Sequence, residues 1–213
     1  MIAAGLLLNH LTGSLLPAII AGTISVILAW WTQWKSISHF KPAGGYANWV
    51  TTIRFFIVLI IVYFSPGLDN LELAMLFTIP VLLDGADGFL ARKMRQKSDF
   101  GAHLDMETDS LFVALTSLIL YYRDIAGAWI LIAGYMRYGY IILLLLTGQI
   151  NISEKRTRFG PAVAVFMFIS LLAAFILPLT FARLLLALAS LVVCVSFGYS
   201  FVSLFINSKH ISS

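Results

Sequence analysis

Hydrophobic runs of membrane-spanning length recur along this sequence of 213 residues. Hydrophobic residues make up 60% of the chain and charged residues only 11%, and the mean hydropathy is +0.93. A helix needs roughly 20 mainly apolar residues to cross the hydrocarbon core of a bilayer. The sequence therefore predicts an all-α polytopic membrane protein with seven spans. These spans lie at about 15–34, 47–65, 70–90, 105–122, 127–147, 160–177 and 181–205.

Lys and Arg residues are concentrated on one side of this predicted topology. Eleven of the 14 fall on the side that holds the loops after the first, third and fifth spans, and the exceptions are Arg123, Arg137 and Arg183. Short cytoplasmic loops carry an excess of basic residues, so this side is expected to be cytoplasmic. The same loops account for the net charge of +4, and we expect no nucleic-acid partner.

Four aspartates flank the basic loop that follows the third span. Asp84 and Asp87 end that span at spacing i, i+3, and Asp105 and Asp109 begin the next span at spacing i, i+4. Each spacing places two side chains on one helix face, so a helical hairpin would gather all four carboxylates. Repulsion among them requires compensation, for which a divalent cation is the simplest candidate.

The chemistry of these ligands favours particular ions. Oxygen ligands without a matching Cys or His set favour Mg²⁺ or Mn²⁺ over Zn²⁺. Mg²⁺ commonly shares its coordination with substrate phosphates, so a phosphorylated ligand is expected. Small residues around the acids, among them Gly85 and Gly88, would allow a ligand or a neighbouring helix to approach closely.

The complete pattern around these acids resembles the signature of the CDP-alcohol phosphotransferase (phosphatidyltransferase) family, whose members make phospholipids. It is Asp84-x2-Asp87-Gly88-x2-Ala91-Arg92-x8-Gly101-x3-Asp105-x3-Asp109, with every constrained position matched. A second family pattern, Asn48-x2-Thr51-x2-Arg54, fits at the start of the second span. The resemblance implies a six-helix transmembrane core over residues 47–206. Residues 1–46 would then form an N-terminal extra span and an interfacial helix.

The resemblance also implies a reaction and a role for each matched residue. The family transfers a phosphoalcohol group from a CDP-linked donor to a second alcohol and releases CMP. Asp84, Asp87, Asp105 and Asp109 would hold the metal, and Asp109 would also act as general base on the acceptor hydroxyl. The donor and its nucleotide would be bound by Asn48, Thr51, Arg54, Gly88, Ala91, Arg92 and Gly101.

Acceptor binding is predicted from four basic residues. Arg137 lies inside a span, where an arginine usually faces a cavity, a carboxylate or a phosphate. Lys155, Arg156 and Arg158 would bind an acceptor phosphate, although a cytoplasmic loop has the same composition. Glycerol-phosphate-specific relatives usually carry Pro and Lys where this chain has Met106 and Ser110, so the acceptor alcohol stays open.

The resulting prediction is a transferase of the cytoplasmic (inner) membrane of a bacterium, with its active site facing the cytoplasm. It would move a phosphatidyl group from CDP-diacylglycerol to a small hydroxyl acceptor. The expected partners are this CDP-linked lipid donor, the alcohol acceptor, membrane lipid and a second copy in a homodimer. The alternatives are a head-group transferase with diacylglycerol as acceptor, an intramembrane prenyltransferase and a cation transporter.

Overall fold

The computed structural model describes residues 16–38, 45–93, 98–146 and 160–209, apart from the side chains of 18, 36, 86–92, 144–146 and 200–209. Within these ranges the chain forms seven α-helices, one short 3₁₀ turn at Ser65–Gly67 and no β-strand. The helices are α1 (Leu16–Ile37), α2 (Tyr46–Phe64), α3 (Asn70–Lys93), α4 (Asp99–Tyr122), α5 (Ile130–Leu146), α6 (Gly160–Ala174) and α7 (Leu179–Lys209). The all-α prediction is therefore confirmed for the described residues.

Among the described residues, two stretches of helix are long and apolar enough to cross a bilayer by length and composition. They are Tyr46–Gly67 and Leu179–Tyr199, while Ile130–Leu143 and Gly160–Ala174 are apolar but shorter. These helices are consistent with a membrane protein. The number of spans, the six-helix core and the division at residue 46 stay predictions.

The chain divides into two compact units, Met1–Phe112 and Val113–Ser213, which we call the N-terminal and C-terminal units. In the N-terminal unit, α2 packs closely along α3. Phe77 of α3 and Phe112 of α4 also meet edge to face, with ring centroids 5.5 Å apart. In the C-terminal unit, α7 packs against α5 and α6 through a buried face that includes Leu186.

Local signals in the sequence explain where α3 begins. The backbone N–H of Asp69 donates to Oε2 of Glu72, and the backbone N–H of Glu72 donates to Oδ1 of Asp69, each at 2.8 Å. This reciprocal pair is a capping box, which satisfies two backbone donors that a helix start otherwise leaves without partners. It fixes the start of the helix that carries Asp84.

The end of α4 is fixed by a left-handed residue and by an arginine from α7. Asp124 has φ of 55°, and the N–H groups of Asp124 and Ile125 donate to the carbonyls of Tyr121 and Leu120. This is the hydrogen-bond pattern of a Schellman motif. Arg183 donates from Nε to the carbonyl of Ile125 and from a terminal nitrogen to that of Asp124, at 3.1 and 3.0 Å. One side chain of α7 therefore holds the turn between α4 and α5.

Replacing Asp124 tests the left-handed turn. We expect Asp124→Gly to keep or raise the thermal midpoint, because glycine has no Cβ to strain this conformation. Asp124→Val should lower stability by about 1–2 kcal/mol, the usual cost of a left-handed conformation for an ordinary residue. The measurement is thermal unfolding in detergent, with Ala128→Val, an exposed neighbour without positive φ, as the control. Equal midpoints for the two valine variants would contradict the assignment.

Candidate metal and substrate site

One face of α2 carries three polar side chains in an otherwise apolar helix. Asn48, Thr51 and Arg54 follow one another at spacing i, i+3, i+6, and all three are buried. The hydroxyl of Thr51 donates to the carbonyl of Ala47 within the same helix, at 3.0 Å. A buried charge or amide is costly without polar partners, so this face must meet polar groups of neighbouring helices.

The polar partners of Arg54 are three aspartates. One terminal nitrogen of its guanidinium contacts Oδ1 of Asp84 on α3. The other lies 2.6 Å from Oδ1 of Asp105 and 3.2 Å from Oδ1 of Asp109, both on α4. The arginine is 2% exposed, whereas each carboxylate is about 30% exposed. The guanidinium therefore lies beneath the carboxylates, which remain accessible from their other side.

The three carboxylates also satisfy the geometric requirement for a shared metal ion. One oxygen from each of Asp84, Asp105 and Asp109 lies within 4.8 Å of the other two. The formal charges of three carboxylates and one guanidinium sum to about −2, which a divalent cation would neutralise. A carboxylate has two oxygens and about four lone-pair positions, so a contact with arginine does not exhaust its capacity as a ligand. An all-oxygen site of this kind fits Mg²⁺ or Mn²⁺.

A second contact brings the start of α4 against α2. A side chain at Gly101 would clash with the amide oxygen of Asn48, so the glycine allows the two helices to approach closely at this point. The backbone N–H of Gly101 donates to Oγ of Ser98 at 3.0 Å, which caps the first turn of α4. Asp105 follows one turn later. The cap and the close approach therefore determine where α4 presents its two aspartates.

The predicted site residues fall into three groups. Asp84, Asp105, Asp109 and Arg54 meet in one cluster, and Asn48 contacts Gly101 beside it. Arg137 is half-buried on α5 of the C-terminal unit. The side chains of Asp87, Gly88, Ala91 and Arg92 on α3, together with residues Lys155, Arg156 and Arg158, lie outside the described residues. Metal, nucleotide, catalytic and acceptor roles for all of these residues stay predictions.

The contact between Arg54 and the aspartates was not predicted from the sequence. The family pattern instead indicates a nucleotide-binding role for Arg54. A signal was nevertheless present, because an arginine inside an apolar helix usually pairs with a carboxylate. Arg54, like Arg137, lies inside an apolar helix, and the four aspartates are the nearest acidic candidates in the predicted topology.

Comparison with known proteins identifies a family resemblance over most of the chain. The family model for CDP-alcohol phosphatidyltransferase matches residues 45–199. The matched region begins just before α2 and includes every described residue of the carboxylate cluster. Helix α1 lies before it.

Individual relatives match about half of the chain. A CDP-diacylglycerol–glycerol-3-phosphate 3-phosphatidyltransferase of Wigglesworthia glossinidia brevipalpis is 34% identical over 49% of this chain and 51% of its own. The protein of that description from Bacillus subtilis is 32% identical over 47% of this chain and 56% of its own. A CDP-diacylglycerol–inositol 3-phosphatidyltransferase of Schizosaccharomyces pombe is 36% identical over 47% of this chain and 37% of its own. The chain thus spans about half the length, or less, of these relatives.

Removing the charge of Arg54 tests its place in the cluster. We expect Arg54→Met to lower the thermal midpoint in EDTA, because the carboxylates then repel one another without a compensating cation. Added Mn²⁺ should raise the midpoint of this variant more than that of the wild type. Arg54→Lys keeps the charge but loses the planar fork, so its midpoint in EDTA should lie between those of Arg54→Met and the wild type. A midpoint of Arg54→Met in EDTA equal to that of the wild type would contradict this role.

Proposed function

Because the chain belongs to the CDP-alcohol phosphatidyltransferase family, we propose that it is a transferase of phospholipid synthesis. In this proposal it transfers a phosphatidyl group from CDP-diacylglycerol to a small hydroxyl acceptor and releases CMP. The names of its relatives support this substrate class, since they act on CDP-diacylglycerol with glycerol 3-phosphate or inositol.

The observation that carries the proposal is the convergence of Asp84, Asp105 and Asp109 from two helices onto one small volume. Their excess negative charge would otherwise repel a donor diphosphate. Mg²⁺ or Mn²⁺ held by these carboxylates, with Asp87 as a further ligand, would neutralise the charge on the diphosphate oxygens. Gly88, Ala91, Arg92 and Gly101 are proposed to contact the donor. Asn48, Thr51 and Arg54 are buried, so they are proposed to support donor binding through the packing of α2.

The proposed reaction forms one bond to phosphorus and breaks another. The acceptor hydroxyl oxygen attacks the phosphorus that carries diacylglycerol, and the bond from that phosphorus to the bridging oxygen breaks. CMP leaves with the bridging oxygen and its electron pair. The acceptor proton passes to the carboxylate of Asp109, which is about 30% exposed and therefore accessible to a hydroxyl group. Arg137, Lys155, Arg156 and Arg158 are proposed to bind the acceptor.

The proposal includes a membrane location. The chain would cross the bacterial cytoplasmic membrane several times as a homodimer, with a six-helix core, an N-terminal extra span and the carboxylates at the cytoplasmic face. The apolar helices and the one-sided distribution of basic residues support this orientation. Arg183 and the turn at Asp124, predicted to lie on the other side, contact each other.

Metal removal tests the proposed activity directly. We expect membranes that contain the full chain to release CMP from CDP-diacylglycerol with Mg²⁺ or Mn²⁺ and to stop in EDTA, because the ligands are all oxygens. The assay is CMP release across a panel of acceptor alcohols. CMP release that continues undiminished in EDTA would exclude the metal-dependent mechanism.

Substitution of single aspartates separates proton transfer from donor binding. Asp109→Asn keeps the size of the side chain and one oxygen ligand but removes its basicity, so turnover should fall by about 10²- to 10⁴-fold while much of the donor binding persists. Asp84→Asn should weaken donor binding as well, because it removes a ligand charge from α3. The measurement pairs CDP-diacylglycerol binding with CMP release for both variants. Near wild-type turnover in Asp109→Asn would show that another group accepts the proton.

A further inference from the structure

We propose that α1 braces α2 and α4 in the register that brings Arg54 to the aspartates of α4, and that Trp30 is its main positioning residue. This helix lies outside the matched residues 45–199. The contacts of α1 carry the structural part of this inference. Its consequence for metal binding rests on the proposed function.

Trp30 contacts both helices with one side chain. Its indole Nε1–H donates to Oγ1 of Thr52 on α2 at 3.0 Å. Its ring centroid lies 4.9 Å from that of Trp49 on α2 and 5.6 Å from that of Phe100 on α4. A hydrogen bond and aromatic contacts on two neighbouring helices fix the ring more tightly than burial alone.

A second contact repeats this arrangement two helical turns earlier in α1. A Cβ atom at Gly22 would lie 3.1 Å from the ring of Phe55 on α2 and 3.7 Å from Leu111 on α4. The helix therefore approaches the same pair of helices again, at a position where an added Cβ would require the ring of Phe55 to shift slightly. Eight residues separate the two levels, which is about 12 Å along a helix.

The contacts at Gly22 and at Trp30, the two levels of contact, define the direction of α1 and its register against α2 and α4. From Gly22 to Trp30, the contacts move backwards along α2 from Phe55 to Thr52 and along α4 from Leu111 to Phe100. Helix α1 is thus antiparallel to both partners. A slip of α4 along α2 would break at least one level of contact, so α1 resists that movement.

The level at Trp30 is connected to the site by a short series of contacts. The hydroxyl of Thr52 accepts from Trp30 and donates to the carbonyl of Asn48 at 2.7 Å. The side chain of Asn48 in turn lies against Gly101, next to Phe100. Trp30 therefore contacts α2 and α4 next to the close approach of Asn48 and Gly101. This approach lies one turn before Asp105 on α4.

The neighbouring residue provides a matched control. Trp31 is 82% exposed, whereas Trp30 is half-buried between the two helices. An aromatic residue at a membrane interface needs no specific partner. The two tryptophans share composition and helix, and they differ in these contacts.

The experiment compares Trp30→Phe and Thr52→Val with Trp31→Phe in the full chain in lipid nanodiscs. The first readout is hydrogen exchange of the backbone amides of residues 99–109. The second is Mn²⁺ affinity, measured from the electron paramagnetic resonance signal of free Mn²⁺. We expect faster exchange in Trp30→Phe and Thr52→Val, with Mn²⁺ affinity lower by about threefold to tenfold, the effect of one hydrogen bond. Thr52→Ser, which keeps the hydroxyl, should restore both values.

Three results would each contradict one part of the proposal. Exchange in Trp30→Phe equal to that in Trp31→Phe would overturn the brace. Faster exchange with unchanged Mn²⁺ affinity would leave Trp30 a structural residue and overturn its positioning role. Faster exchange in a chain whose wild type binds no Mn²⁺ would uphold the brace and refute the proposed metal site instead.

Discussion

The contact between Arg54 and three aspartates is the constraint on which the N-terminal unit depends. A fully buried guanidinium among apolar helices requires negative partners, and three close carboxylates require a positive one. Each group therefore explains the presence of the other. Because the partners come from α3 and α4, one side chain of α2 determines how three helices meet at one end.

In this arrangement, holding the carboxylates together and binding a ligand would be carried out on opposite sides of the cluster. Arg54 neutralises part of the negative charge of the carboxylates from the buried side. The remaining negative charge is directed toward the exposed side, where a divalent ion and a diphosphate would bind. A preorganised site loses less free energy to reorganisation when its ligand binds. Ligands that are all oxygens would favour a hard ion in the proposed metal site.

The helices were predictable from the sequence, but only some of the contacts between them were. The helices follow from long apolar runs with turn residues at their ends, which depend on local sequence alone. The meeting of Asp84 with Asp105 and Asp109 was also predictable, since all lie on two predicted helices that follow each other closely in the sequence. The partner of Arg54 depends on how α2 packs against that hairpin, and no local spacing determines this. The role of Trp30 was not predictable, because composition does not distinguish it from its neighbours Trp31 and Trp34.

The brace from α1 complements the polar contacts between α2 and α4. The contacts of Arg54 with Asp105 and Asp109 are directional, so they specify geometry at one end of the helices, where Asn48 also packs against Gly101. A hydrogen bond contributes only about 0.5–1.5 kcal/mol net, because its groups also find partners in the unfolded state. Close packing of Gly22 and Trp30 adds dispersion contacts on both helices, the main source of association between helices in lipid. Directional contacts thus define the site, and packing by a helix outside the matched region keeps its helices in register.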